Sequence, residues 1–304
     1  MRAVSYAEFG GPEVLHVADL PGPVPGPGQV RVRVAASVVH PVDLMVRAGR
    51  FPAPLPTGLP YVPGWDVAGK VDAVGPSVGD FAVDDDVIGF SPWVRTTVGA
   101  HAEYVVLEAA WLTTAPTGIS ATEAATLPTS GLAAAQALDL LALPTGSSVL
   151  VTGAAGQVGG FALALARAAG LHATGIAGAD DREFVEAQGA AFVPRSDDPI
   201  VVTPGGFDAV VDLAVIGPSL MELVRDGGGY VAASPPLRPK PVRGIRTSAL
   251  SVLPDGARLG DLVKLVESGD IPLRVAGVYS FADEAAAHDR LARGGVRGGV
   301  VIVP

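Results

Sequence analysis

The run Val149-Leu-Val-Thr-Gly153-Ala-Ala-Gly156-Gln-Val-Gly159-Gly-Phe-Ala-Leu-Ala-Leu-Ala-Arg167 reads as a strand, a glycine turn and a helix in immediate succession. Val149 to Val151 supply a short buried strand. The glycines permit a tight turn and a close approach of backbone to ligand, and Phe161, Leu163, Leu165 and Ala166 continue as a helix whose first N–H groups face the turn. Such a turn receives the pyrophosphate of a dinucleotide, with Gly153, Ala155, Gly156, Gln157, Val158 and Gly159 as the lining. The spacing is G-x-x-G-x-x-G rather than G-x-G-x-x-G, which by itself also describes a purely structural turn. The strand before it, the helix after it and a further strand from Leu171 to Ile176 at βαβ distance favour the nucleotide.

The flanking sequence divides into two styles. From residue 1 to about 115 short β-branched or alternating runs are separated by Gly and Pro: Val30 to Val34, Val67 to Val74, Asp86 to Phe90 and His101 to Val106. This predicts a compact, mostly antiparallel domain. From about 119 helices and strands alternate. Thr122 to Thr126, Ala133 to Leu141 and Arg182 to Gln188 read as helical, and Ala209 to Asp212 and Gly229 to Ala233 as strands, so the sheet is expected to be parallel and doubly wound. Arg258 to Ser268 and Asp283 to Arg293 then return to helix, and Val300 to Val303 closes as a strand expected to pair back in the first domain. The fold class expected is α/β, with domains at 1–118 plus 257–304 and at 119–256. Pro21 to Gly28 reads as a rigid surface turn.

Composition narrows the chemistry. The chain has 304 residues, 49% hydrophobic and 17% charged, which is enough for two ordinary cores, and no apolar stretch suits a membrane span. Its net charge of −10, with few and scattered basic residues, disfavours nucleic acid and anionic membranes as partners. The amino-terminal residues carry no apolar secretory core, so the expected address is cytoplasmic. With 0 cysteines there is no disulfide, no thiolate nucleophile and no cysteine-ligated zinc.

Several motifs in a fixed order extend the pattern over nearly the whole chain: Phe9-Gly-Gly-Pro-Glu-Val-Leu15, His40-Pro-Val-Asp43 with Arg47-Ala-Gly49, Pro63-Gly-Trp-Asp-Val-Ala-Gly69, Ala102-Glu-Tyr104, the 153–159 turn, Gly189-Ala190 and Arg297-Gly-Gly-Val-Val. In these the chain resembles the medium-chain dehydrogenase/reductase superfamily, specifically its zinc-independent quinone oxidoreductase branch. The resemblance implies a strand-rich GroES-like catalytic domain joined to a Rossmann domain, and a homodimer formed by edge strands of the nucleotide domain, with Ala249 to Leu253 as the edge. Zinc alcohol dehydrogenases of the superfamily carry Gly-His-Glu where this chain has Gly64-Trp65-Asp66, and they use cysteine ligands it lacks. The segment from Phe90 to His101 is also too short for their structural zinc lobe.

Without a Lewis acid worth several kcal/mol, plain alcohol oxidation is disfavoured. A quinone or an α,β-unsaturated carbonyl spreads the incoming charge over its own conjugated oxygen, so positioning and a few hydrogen bonds suffice. The expected activity is reduction of such small molecules by NADPH, with a dedicated open-chain enoyl or alkenal reductase and a nucleotide-binding redox sensor without turnover as the alternatives. NADH stays open as the cofactor. A carboxylate for the ribose 2′-OH is expected about 20 residues beyond the glycines, and Ala173 to Ala179, including Gly178, contains none. Such a carboxylate about 4 Å from a 2′-phosphate would cost roughly 1–4 kcal/mol. Arg182 and Arg195 are candidate phosphate partners or solvated surface charges, while Asp180 and Asp181 argue the other way.

His40 stands where relatives have asparagine, in the cleft near the nicotinamide that the resemblance implies. It either hydrogen-bonds a substrate oxygen and relays a proton or is a structural histidine. Asp43 is expected to cap the following helix. Trp65 is either an apolar wall or a core residue, and His101 is expected to face the same cleft. Two tyrosines of relatives are Met45 and Phe51 here. Thr129 and Ser130 are expected on the nicotinamide side, and Leu213, Ala214 and Ser234 at the carboxyl edge of the parallel sheet, where ligands collect.

Overall fold

The computed structural model describes residues 1–55, 60–195 and 204–304, which form two compact units. One comprises Met1–Thr129, Leu253–Gly269 and Leu273–Pro304; the other comprises Ser130–Val252 with Asp270–Pro272.

The first unit opens with a two-stranded antiparallel ribbon, β1 (Arg2–Ser5) and β2 (His16–Asp19). The long strand β3 (Gln29–Val39) follows, its Val30, Val32 and Val34 buried while Arg31 and Arg33 alternate outward. That period of two is what the run 30–34 predicts, and each buried valine stabilises the unit by roughly 1.5–3 kcal/mol. Next come α1 (Pro41–Arg47), β4 (Asp66–Val74), β5 (Asp86–Phe90), β6 (Tyr104–Glu108), β7 (Leu112–Thr114) and the single turn α2 (Ala121–Ala124). Strands β4 and β6 both pair antiparallel with β3. The ladder to β3 starts β6 at Tyr104, so His101 lies before the strand rather than in it.

Helix α3 (Pro128–Leu141) begins at the last two residues of the first unit's segment, and the second unit carries the rest of it with β8 (Ser148–Thr152), α4 (Gln157–Ala168), β9 (His172–Ala177), α5 (Arg182–Ala187), β10 (Ala191–Pro194), β11 (Phe207–Asp212), β12 (Val224–Ala232) and β13 (Arg246–Ala249). Its six strands are parallel in the order β10-β9-β8-β11-β12-β13. The chain winds outward from β8 in one direction and then returns to wind the other way from β11, so the order reverses between β8 and β11. That is the point at which open α/β sheets bind ligands. Two differences from the sequence reading have local causes. Strand β12 starts at Val224, opposite Phe207, ahead of the Gly227 to Gly229 cluster that hides it, and the short edge strands β10 and β13 are too brief to show a period.

The carboxy-terminal part returns to the first unit with α6 (Gly256–Glu267), β14 (Val275–Ser280), α7 (Glu284–Ala292) and β15 (Gly299–Val303). β15 pairs antiparallel with β3, setting Val300 opposite Val39, and parallel with β14. The closing strand thus joins the first domain's sheet, as the apolar run at 300–303 predicts.

Candidate active site

In the second unit the glycine turn has the expected form. Strand β8 ends at Thr152, Gly153 takes φ of +63°, and Gly156 is the N-cap of α4. The Gly156 N–H donates to the Gly153 carbonyl at 2.9 Å. A Cβ on Gly159 would stand 2.2 Å from the Gly153 oxygen and 2.8 Å from Ala154 Cα, so this position tolerates only glycine. Ala155 is buried under the turn, while Gln157 and Val158 are half-buried at the start of α4. The first helical turn directs its N–H groups and the positive end of the helix dipole toward this loop.

The loop after β11 closes against it. Thr152 Oγ1 donates to Asp212 at 2.7 Å and accepts the Ala214 N–H at 3.0 Å, and Gly153 faces the backbone of Leu213 and Ala214. Asp212 also accepts from the Ile216 and Gly217 amides and from the Tyr230 hydroxyl, and so it fixes the whole 213–217 turn. Burial and the Asp212 charge push the Tyr230 hydroxyl's pKa upward, which keeps it a donor. Sequence reasoning noted Asp212 only as a strand end. Its role depends on four partners spread over three segments, which no local pattern displays.

At the tip of β9, Ala177, Gly178 and Ala179 carry no acidic side chain, and the Arg195 N–H donates to the Ala177 carbonyl at 2.7 Å. Arg195 is exposed there. Arg182 instead pairs with Glu186 at 2.9 Å and lies over the Phe192 ring. Ser234 is half-buried just beyond the carboxyl end of β12. Positions 153–159, 178, 195, 213, 214 and 234 thus all sit at carboxyl ends of the parallel strands.

In the first unit β3 delivers His40 to the N-cap of α1, with Pro41 as the first helical residue. Asp43 caps the helix as expected, from its third position: in a capping box its carboxylate reaches back to accept the His40 N–H at 2.8 Å, and it also accepts the Trp93 indole N–H at 3.1 Å. His40 Nε2 is hydrogen-bonded to Asp66 Oδ2, and Asp66 Oδ1 accepts the Thr129 N–H at 2.7 Å. Burial alone would depress the His40 pKa, but the charge and hydrogen bond of Asp66 outweigh it and hold the imidazole above its ordinary value. Thr129 Oγ1 is buried with no partner among the described residues. Trp65 stacks on Phe90 and meets Trp93 edge-on, 8% exposed, which agrees with the core reading more than with an open wall.

His101 differs from expectation. Its side chain exposes no surface and its Nδ1 donates to the Glu284 carboxylate at 2.5 Å, so it braces two segments of the unit from within. Arg47 donates to His288 Nδ1 at 3.0 Å, which makes that nitrogen an acceptor and leaves His288 Nε2–H to donate to Glu284. Burial opposes ionisation of Glu284, yet the charge of His101 and the hydrogen bonds from His101 and His288 bring its pKa to about 2. The His101 N–H also holds the Pro63 carbonyl, and a Cβ on Gly64, at φ +106°, would strike the His101 ring. The brace therefore shapes the segment that carries Trp65 and Asp66. The i,i+4 spacing of Glu284 and His288 was visible in the sequence, but nothing there linked them to a histidine 183 residues away.

Comparison with known proteins fits these parts. Residues 26–117 match the alcohol dehydrogenase GroES-like domain, and residues 188–302 match a model described as zinc-binding dehydrogenase. An NADPH-dependent alkenal/one oxidoreductase of Arabidopsis thaliana chloroplasts is 31% identical over 100% of this chain and 80% of its own length. The chain belongs to the medium-chain dehydrogenase/reductase superfamily. Within it, human quinone oxidoreductase is 38% identical over 63% of this chain and 57% of its own length. The quinone oxidoreductase structure from Coxiella burnetii superimposes with a TM-score of 0.86 at 26% identity, covering 100% of this chain and 99% of the other.

Two groups implied by a medium-chain dehydrogenase/reductase can be tested against these residues. A nicotinamide dinucleotide fits: the Gly153–Gly159 cradle has room only for backbone, and α4 begins at it. A tetrahedral zinc centre does not fit. The chain has 0 cysteines, Trp65 holds a ligand position of the zinc relatives, and His40 Nε2 is committed to Asp66. Among the described residues no three His, Asp or Glu side chains converge as a metal site.

Proposed function

We propose that the protein is an NADPH-dependent reductase of quinones and other α,β-unsaturated carbonyls that works without zinc. The observation that carries this reading is a dinucleotide cradle in a chain whose zinc-ligand position is a tryptophan and whose nearby imidazole is bound to a carboxylate. A relative named for NADPH and alkenal/one substrates and others named for quinones support it. When bound, the cofactor supplies a hydride. The first turn of α4 and the 153–156 loop hold the pyrophosphate, Leu213 and Ala214 line the adjoining edge, and Ser234 lies at the next strand end. Arg195, whose backbone is fixed to the tip of β9, is the proposed partner of the 2′-phosphate. Arg182 is already engaged by Glu186 and Phe192 and contributes less. NADH would use the same cradle without the Arg195 contact.

The substrate's own conjugation takes the place of a Lewis acid, since the developing negative charge spreads onto its oxygen. The test is a panel of quinones, cyclic enones, open-chain enones and simple ketones, with reduced-nicotinamide oxidation followed for NADPH and NADH. The expected result is turnover with the conjugated acceptors, NADPH preferred, and none with simple ketones. Tight NADPH binding without oxidation by any acceptor would replace this reading with that of a nucleotide-binding sensor.

A further inference from the structure

We infer that Asp212 is a positioning residue for the dinucleotide: its buried carboxylate holds the 213–217 turn in a strained form that closes one side of the glycine cradle. The inference rests on the functional reading above, and every group it invokes belongs to the second unit.

The carboxylate is used to capacity. Its Oδ1 accepts the Thr152 hydroxyl at 2.7 Å and the Ile216 N–H at 3.1 Å, and its Oδ2 accepts the Gly217 N–H and the Tyr230 hydroxyl, both at 2.8 Å. A carboxylate offers about four acceptor sites, so these four donors fill it. None of them is a lysine or arginine, although Asp212 is only 3% exposed. A buried anion held by amides and hydroxyls alone needs all of its partners in place. Those partners tie together the carboxyl ends of three neighbouring strands, since Thr152 ends β8, Asp212 ends β11 and Tyr230 lies in β12. Thr152 passes the constraint onward by accepting the Ala214 N–H at 3.0 Å. The turn then lies against the first glycine of the cradle, where a Cβ on Gly153 would meet Ala214 N at 3.4 Å and Leu213 C at 3.6 Å.

The conformation held in this way is one the chain does not favour locally. Val215 takes φ of +59° and Gly217 φ of +94°. A β-branched residue at positive φ crowds its Cβ against the following carbonyl, and the Val215 side chain is 50% exposed, so burial does not offset that strain. The strained segment sits at the switch point between β8 and β11, where an open parallel sheet receives its ligand. Strain kept at such a place is a mark of preorganisation. With the turn already ordered, the dinucleotide binds without the cost of ordering it. The cradle serves the part that NADPH and NADH share, so the pin acts on both cofactors alike, unlike Arg195.

The experiment compares wild type, Asp212→Asn, Thr152→Val and Thr152→Ser. It measures NADPH and NADH affinity by titration calorimetry, amide hydrogen exchange at Ile216 and Gly217 in cofactor-free protein, and the cofactor KM and kcat with a quinone. Asp212→Asn keeps the shape but replaces one acceptor oxygen by a donor, so part of the pin is lost. Both cofactors should bind about 10- to 100-fold more weakly, exchange at 216 and 217 should quicken, and KM should rise by more than kcat falls. Thr152→Val should share these losses, and Thr152→Ser, which keeps the hydroxyl, should recover most of the affinity. Wild-type affinity for both cofactors in a folded Asp212→Asn protein overturns the inference, as does a loss confined to NADPH or a fall in kcat with affinity unchanged. Should Asp212→Asn fail to fold, wild-type affinity in Thr152→Val overturns it. In each of these cases the functional reading stands, because wild type still binds and oxidises NADPH. Wild type that binds neither cofactor overturns both.

Discussion

At Gly159 a single missing side chain decides whether a helix can begin against a phosphate. A Cβ there would lie 2.2 Å from the Gly153 oxygen, so Gly159→Val forces the turn apart. Overpacking of about 1–3 kcal/mol should appear as roughly 10- to 100-fold weaker NADPH binding by titration calorimetry. Unchanged affinity would mean the turn does not hold the cofactor. Arg195→Ala removes a charge-assisted contact worth about 1.5–3 kcal/mol, so NADPH affinity should fall about tenfold or more while NADH affinity stays constant, and Arg182→Ala should do less. The turn itself was legible because glycine spacing is local, and the structure gives it the expected form. His40 was legible as a candidate only. The carboxylate that holds its ring, Asp66, lies 26 residues away and stands out in sequence only as the replacement of a glutamate in relatives.

Among the elements, α7 does more than cover the sheet, since it carries Glu284 and His288 into a buried chain with Arg47 and His101. Removing one partner of a buried pair costs on the order of 3–5 kcal/mol, so Glu284→Gln should lower unfolding free energy in urea by that order. The sign with pH follows from the two shifts. His101 lies above its ordinary 6.5, so its contribution is complete below that value and fades as pH rises through the folded value. Glu284 lies below its ordinary 4.5, so its contribution is complete above that value and fades as pH falls toward about 2. The stability gap between wild type and Glu284→Gln should therefore be widest between pH 4.5 and 6.5 and narrow on both sides. A gap independent of pH would contradict the ionised pair. The long periodic elements β3, α4 and β11 were readable beforehand. β14 was not, because Gly277 interrupts it and only its parallel pairing with β15 makes it a strand.

For the whole molecule, the two styles of sequence correspond to an antiparallel-rich unit and a parallel one, and the return of β15 to β3 follows from its apolar run. Side-chain constellations such as Arg47–His288–Glu284–His101 draw on both ends of the chain, and no period or spacing encodes them. We propose association of two copies along the exposed edge of β13, where the run Ala249 to Leu253 continues past the strand. Sedimentation velocity should show a dimer that Ala249→Pro weakens, since the next N–H, of Leu250, turns inward to the Ala232 carbonyl and that of Ala249 faces the open edge, where proline removes the donor; a monomer at all concentrations would contradict it. The central claim is that hydride transfer relies on the substrate's conjugation and on protein side chains rather than on a metal. It is tested most directly by dialysing the protein against a strong chelator, measuring residual metal by mass spectrometry and following NADPH oxidation by a quinone. Full turnover by metal-free protein, unchanged on adding zinc, is the predicted result. Activity that vanishes with the chelator and returns with a divalent cation would contradict it.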